Sequence, residues 1–161
     1  MGRIEAALFL HGAQYKFYVE AATVAALCYI CFTDLQSFKI RNDSILLLLV
    51  LYIVFALFSR SPFEIVLNVT LGLVVFMILL WFYGRGAIGG GDVKLVSVVC
   101  LWIGIHCALL FSVLLLGFVG LHVVATKWGL APTQARGSRQ ALPYAPAVAA
   151  ALITTILLGC I

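Results

Sequence analysis

Six apolar runs, at about 17–33, 44–59, 63–83, 93–105, 107–126 and 142–160, set what this chain can fold into. A run of roughly 20 apolar residues crosses the ~30 Å hydrocarbon layer as a helix, because in lipid a helix satisfies its own backbone hydrogen bonds. The 161 residues are 65% hydrophobic and 10% charged, with a mean hydropathy of +1.18; soluble domains use only ~45–50% apolar residues. The expected fold class is therefore an all-α integral membrane protein, a bundle of about six transmembrane helices. Residues 1–161 read as a single membrane-embedded domain, with no separate soluble domain. The apolar stretch "AALFL" near the start is too short for a signal-peptide core, so the N-terminus is expected to be retained.

The connections carry the charge. Numbering the spans alternately places Lys39, Arg41, Arg85, Lys94, Lys127, Arg136 and Arg139 on one side and Arg3, Lys16 and Arg60 on the other. That asymmetry makes the first side cytoplasmic and leaves both termini outside. The basic residues are scattered through loops, including the acid-free loop 127–140, without a dense patch. Anionic lipid headgroups are their expected counterpart, and nucleic acid is not. The five cysteines, Cys28, Cys31, Cys100, Cys107 and Cys160, lie within or at the end of apolar runs and read as small hydrophobes rather than a disulfide framework. The single CxxC, Cys28 to Cys31, sits inside a span and lacks a second pair. His106 and His122 are not spaced for a shared metal and have no third ligand in view.

Six acids remain to be explained. Glu5 and Glu20 belong to the external N-terminal region. Glu64 follows Pro62 at the head of a span, where negative charge suits a helix N-terminus, and Asp43 is placed to cap the second span. Asp34 closes one apolar run and Asp92 opens another, and the topology brings both to the same membrane face. An ionisable residue kept at membrane depth calls for a partner, and each is the other's. Two close carboxyls in a partly dry site share a proton and titrate as a unit. One then acts as general base and the other as general acid, activating water against an amide carbonyl. This is the chemistry of an aspartic protease. The competing readings are a pair of helix caps, or a proton or ion carrier that uses the two acids as a relay. A relay distributes its acids through the membrane depth, whereas these cluster at one face.

Immediately before Asp92 stand Gly89, Gly90 and Gly91. The preceding "GRGAIG" matches GxGxxG in form but follows a membrane helix, not a strand, so it is no dinucleotide loop. The three glycines permit unusual backbone angles and close approach of another chain, such as an extended substrate segment.

At these residues the sequence resembles a known family. "IGGGDVKL" (88–95) is similar to the GxGD signature of prepilin peptidases, with Gly89, Gly91, Asp92 and Lys94 on the motif. "TDLQSFKIRND" (33–43) resembles that family's first aspartate motif through Asp34, Ile40 and Asn42. "LPYAPAVAAA" (142–151) resembles the segment opening its last helix, through Pro143 and Tyr144. The resemblance implies that Asp34 and Asp92 are the catalytic pair of a membrane aspartic endopeptidase. It implies removal of a prepilin leader, and of pseudopilin leaders, at the cytoplasmic face of the bacterial inner membrane, with no metal or organic cofactor. Lacking room for the cytoplasmic domain with paired CxxC motifs, the sequence resembles the short form serving tight-adherence, Flp-type pili, which implies peptidase without N-methyltransferase activity. Arg41 stands where the family commonly has proline, and Ala145 and Ala151 where it commonly has glycine. Presenilin-like GxGD proteases are a neighbouring alternative, but they pair GxGD with Tyr-Asp, whereas Thr33 precedes Asp34 here. Lys94 reads either as a lipid anchor or as a cation for a substrate carboxylate. Asn68 and Thr70 read as interhelical hydrogen-bond formers, and Trp81, Tyr83, Trp102 and Trp128 as interfacial aromatics.

Overall fold

The computed structural model describes residues 2–37, 40–86, 88–128, 134–136, 139–141 and 144–161. They form five helices, α1 (Gly2–Ser37), α2 (Asn42–Ser59), α3 (Pro62–Gly84), α4 (Gly90–Lys127) and α5 (Ala145–Leu157). A small antiparallel hairpin of β1 (Gln134–Arg136) and β2 (Arg139–Ala141) lies in the connection before α5. Four helices are long and apolar enough to cross a membrane, and α5 is a shorter apolar helix. The chain is a multi-pass membrane protein.

Local chemistry explains the boundaries. α3 follows α2 after the two residues Arg60 and Ser61, and Ser61 and Glu64 cap it reciprocally: Glu64 N–H donates to Ser61 Oγ and Ser61 N–H to Glu64 Oε2, with Pro62 in the first turn. α5 ends at Gly159, whose φ of 67° lets its own N–H reach the Ile156 carbonyl and the Cys160 N–H reach that of Thr155. Inside the spans, Thr23, Thr33, Thr70, Ser97 and Thr155 return their hydroxyls to the carbonyl one turn earlier, so these five hydroxyls are satisfied within their own helices. For Thr70 that bond is within its own helix, not between helices. α2 is capped differently from expectation. Its N-cap is Arg41 with no side-chain cap bond, and Asp43, one residue inside, pairs with Arg41 Nη2 at 3.1 Å instead.

α4 covers both the fourth and the fifth apolar runs. At a rise of ~1.5 Å per residue, its 38 residues would make a rod about 57 Å long, nearly twice the hydrocarbon thickness. Gly104, with φ 64° and ψ 179°, breaks it into two limbs, 90–103 and 105–127. Only glycine takes this backbone region at little cost. The space a side chain would fill is occupied by Asn68 of α3, whose Oδ1 lies 2.5 Å from the position of a Cβ on Gly104. Asp92 on the first limb and His122 on the second both act electrostatically on Asp34. On a straight helix they would stand about 45 Å apart, so the limbs fold back on each other at Gly104.

α4 packs on α2, α3 and α5, while α1 packs on α2 and α5. The core is centred on Trp102, which is fully buried, stacks on Phe55, meets Tyr52 edge-on and donates Nε1–H to the Leu48 carbonyl at 3.2 Å. An indole is favoured inside when its N–H finds an acceptor, so Trp102 is a core residue rather than an interfacial one. Trp81 and Trp128 are exposed. The second correction concerns the cysteines. Cys107, just past the break, and Cys160, just past α5, form a disulfide. The turn at Gly104 returns the chain to the end of α5, a proximity that residue spacing does not reveal.

Candidate active site

Asp34 lies in the last turn of α1 and is 4% exposed. Its Oδ2 accepts the backbone N–H of Ala145 at 3.3 Å. Ala145 is the first residue of α5, and the N-cap residue Tyr144 makes no side-chain cap bond of its own. A carboxylate from α1 thus takes the capping position of α5, where free N–H groups and the helix dipole favour negative charge.

Asp92 is the third residue of α4, after the N-cap Gly89. Its carboxyl folds back toward Gly89, whose N–H acts on it, as the acidic residue of a capping box does. Both aspartates therefore sit at helix N-termini, and their charges act on each other. Fifty-eight positions of sequence separate them, but a single end of the bundle holds both.

The glycines make that convergence possible. A Cβ on Gly89 would stand 2.8 Å from Asp92 Oδ2, so a side chain there would displace the carboxyl. A Cβ on Gly91 would meet Ile40 Cβ at 3.1 Å, and one on Gly90 would meet the Tyr83 ring at 3.3 Å. The chain approaching closely is thus the protein's own: Ile40, six residues after Asp34, rests on Gly91, the residue before Asp92. A second tie joins the same two segments, with Lys94 Nζ donating to Asn42 Oδ1 at 3.0 Å. Both readings of Lys94 left this intramolecular contact out. Tyr144 borders Asp34 as the residue before Ala145 and is 39% exposed; Pro143 lies outside the described residues.

Two further groups stand close by. Cys31, one turn before Asp34, places its Sγ 3.8 Å from the Ala145 carbonyl. His122 returns on the second limb of α4, with its imidazole close enough to act on Asp34. Its Nε2 is enclosed and has no hydrogen-bond partner. Sequence reasoning weighed His122 only as a metal ligand. Its approach to Asp34 depends on the fold-back at Gly104, for which the glycine alone was the signal. Among the described residues no three His, Cys, Asp or Glu side chains group together as a metal site would require.

Chemically, two coupled carboxyls at a helix-rich, half-buried membrane end can hold one proton and one water between them. This arrangement suits general acid–base attack on a carbonyl.

Comparison with known proteins points the same way. The model of the type IV leader peptidase family matches residues 21–126. A prepilin leader peptidase/N-methyltransferase of Bacillus subtilis (strain 168) is 28% identical over 156 residues, covering 92% of this chain. The chain spans 58% of that relative's length. No solved structure matches.

Proposed function

The chain belongs to the type IV leader peptidase family, and from that premise we propose that it is an aspartic endopeptidase removing the leader of type IV prepilins at the membrane surface. Asp34 and Asp92 share a proton, hold the attacking water between them, and exchange the roles of base and acid as the peptide carbonyl is attacked and the leaving amine is protonated. The observation that carries this is that carboxyls from distant parts of the chain lie at one end of the bundle within reach of each other's charge, each at a helix N-terminus. Gly89, Gly90, Gly91 and Ile40 hold the Asp92 segment against the Asp34 segment, and Asn42 and Lys94 tie them a second time. Both ties are supporting contacts rather than chemistry, and a supporting role is also proposed for Tyr144, which precedes Ala145, and for Pro143.

The proposal extends to orientation. Disulfides persist in oxidising compartments outside the cytoplasm. The Cys107–Cys160 bond lies just past the break, at the far end of the first limb of α4 from Asp92. Both this and the excess of Lys and Arg on the Asp34–Asp92 side support an active site facing the cytoplasm of the bacterial inner membrane, with both termini outside. Flp-type prepilins and related pseudopilins are the proposed substrates. Peptidase without N-methyltransferase activity is proposed because the one CxxC of these 161 residues lies within α1.

Co-expression with a prepilin, followed by its mobility shift, tests the proposal. Wild type removes the leader, while Asp34→Asn and Asp92→Asn, each shown to be membrane-inserted, do not. Processing by either variant at the wild-type rate would overturn the pair. A free N-terminal amine on the mature pilin, by mass spectrometry, is the expected product, and an N-methyl group would refute the single activity.

A further inference from the structure

At the opposite end of the bundle from Asp34 and Asp92, three buried polar atoms have no hydrogen-bond partner: Tyr52 Oη, Asn68 Nδ2 and Arg60 Nη2. They belong together. The Tyr52 hydroxyl lies beside the Asn68 amide without a well-directed bond, and the Arg60 charge acts on Tyr52. The Arg60 guanidinium lies over the Phe55 ring, 5.7 Å from its centroid. Tyr52 and Asn68 are 3% and 2% exposed. An unpaired buried donor at membrane depth is costly, and three in one place call for a shared acceptor.

An apolar cleft of about 350 Å³ opens beside them between α2, α3 and the first limb of α4, lined by Leu49, Tyr52, Val69, Gly72, Phe76 and Val98 among others. This is within the ~300–1,000 Å³ of small-ligand sites. At its wall Gly72 lets α3 approach α4 closely, since a Cβ there would stand 2.6 Å from Leu101 Cδ2. The order along the helices gives the site a direction. Arg60 follows the end of α2 at the membrane boundary, Tyr52 and Asn68 lie about two turns further in, and Leu49, Gly72, Phe76 and Val98 continue toward the middle of the bilayer. From surface to midplane, the sequence is a cation, then neutral donors, then apolar wall.

We propose that this cleft binds one glycerophospholipid from the leaflet opposite the two aspartates. Arg60 takes the phosphate, Tyr52 and Asn68 donate to the ester oxygens, and an acyl chain fills the cleft. A charged donor for an anion, neutral donors for carbonyls and apolar surface for hydrocarbon match the three chemical zones of such a lipid in the order in which it presents them. The site is independent of the peptidase reading.

Native mass spectrometry of the full chain, purified in detergent, stripped of lipid and titrated with palmitoyl-oleoyl phosphatidylglycerol or phosphatidylethanolamine, tests it. One retained lipid per chain is expected. Val69→Trp and Leu73→Trp enter the cleft from exposed positions, and Arg60→Gln removes the cation. Each should weaken retention about tenfold or more, the effect of losing one charged hydrogen bond or the contact volume. Ile78→Trp, at an exposed position on the face of α3 opposite Val69, Leu73 and Phe76, should bind as wild type does. Retention unchanged in both tryptophan variants of the cleft would overturn the proposal. So would inorganic phosphate displacing the lipid at matched concentration, which would make this an anion site with no use for the chain.

Discussion

Substituting alanine at the glycines around Asp92 separates backbone conformation from side-chain space, because each added methyl meets a different neighbour. Gly89 has φ −73° and ψ 143°, a conformation alanine adopts freely. The cost of Gly89→Ala is therefore the contact at 2.8 Å with Asp92 Oδ2. The carboxyl must move and give up the Gly89 N–H, a charge-assisted bond of about 1.5–3 kcal/mol. If Asp92 must sit there in the transition state, kcat/KM for leader removal falls roughly 10- to 100-fold. Gly91→Ala presses on Ile40 Cβ at 3.1 Å, an atom fixed to the backbone, and should lower the rate several-fold through a small overpacking penalty of about 1 kcal/mol. Gly90→Ala meets only the edge of the Tyr83 ring at 3.3 Å, which can swing aside, and should cost less. Gly84→Ala meets nothing within 4 Å and is the control. The assay is the initial rate of leader removal from a purified prepilin in proteoliposomes, normalised to inserted enzyme. The expected order of impairment is Gly89, Gly91, Gly90, Gly84. Wild-type kinetics for Gly89→Ala, or equal losses at Gly84 and Gly89, would refute the claim that these glycines act by admitting Asp92 and Ile40.

Four other outcomes can be checked. Leader removal should follow a bell-shaped pH profile, since the pair works with one proton and fails with none or two; a single-sided profile in proteoliposomes would contradict the shared proton. Lys94→Met and Asn42→Leu should each reduce the rate only a few-fold, the loss of one exposed hydrogen bond of about 1 kcal/mol. The double variant should do no worse than either alone, and additive losses would place Lys94 elsewhere, for instance on the substrate. His122→Phe should lower kcat/KM about tenfold with insertion intact while His122→Gln retains more activity, on the scale of one buried polar contact; identical rates would leave the imidazole without a part in the reaction. Reduction, or Cys107→Ser with Cys160→Ser, removes a crosslink across a separation of 53 residues and should lower thermal stability by up to about 4 kcal/mol. The freed thiols should react with a membrane-impermeant maleimide only from the side opposite the aspartates, and labelling from the aspartate side would reverse the orientation.

Much of the architecture was legible because lipid leaves the chain few options. Apolar runs of bilayer length must be helices, and positive charge sorts their connections, so Asp34 and Asp92 fall at one face by counting alone. What counting cannot supply is lateral position. The boundary between the apolar runs 93–105 and 107–126 falls where the structure reverses the chain, at Gly104, so two spans joined by a tight turn were legible there. The Cys107–Cys160 bond and the approach of His122 to Asp34 both follow from that reversal, but which residues it brings side by side depends on lateral packing and was hidden. Trp102 was misplaced for a related reason: an indole near the end of an apolar run suits an interface equally well, until a carbonyl such as that of Leu48 is known to face it. Lys94 and Asp43 show the limit for polar groups, since each chose a nearby side chain, Asn42 and Arg41, over lipid phosphate or a helix end.

The hydrogen bond between Asp34 and the first residue of α5 links events at the carboxyl to the seating of a whole helix. Under the proposed chemistry that carboxyl gains or shares a proton and turns toward a peptide carbonyl in each cycle, weakening its hold on the Ala145 N–H while it does so. The start of α5 then loosens and re-forms once per turnover. Cleavage would thus carry its own timer for product departure, written into the register of the last helix rather than into a separate lid.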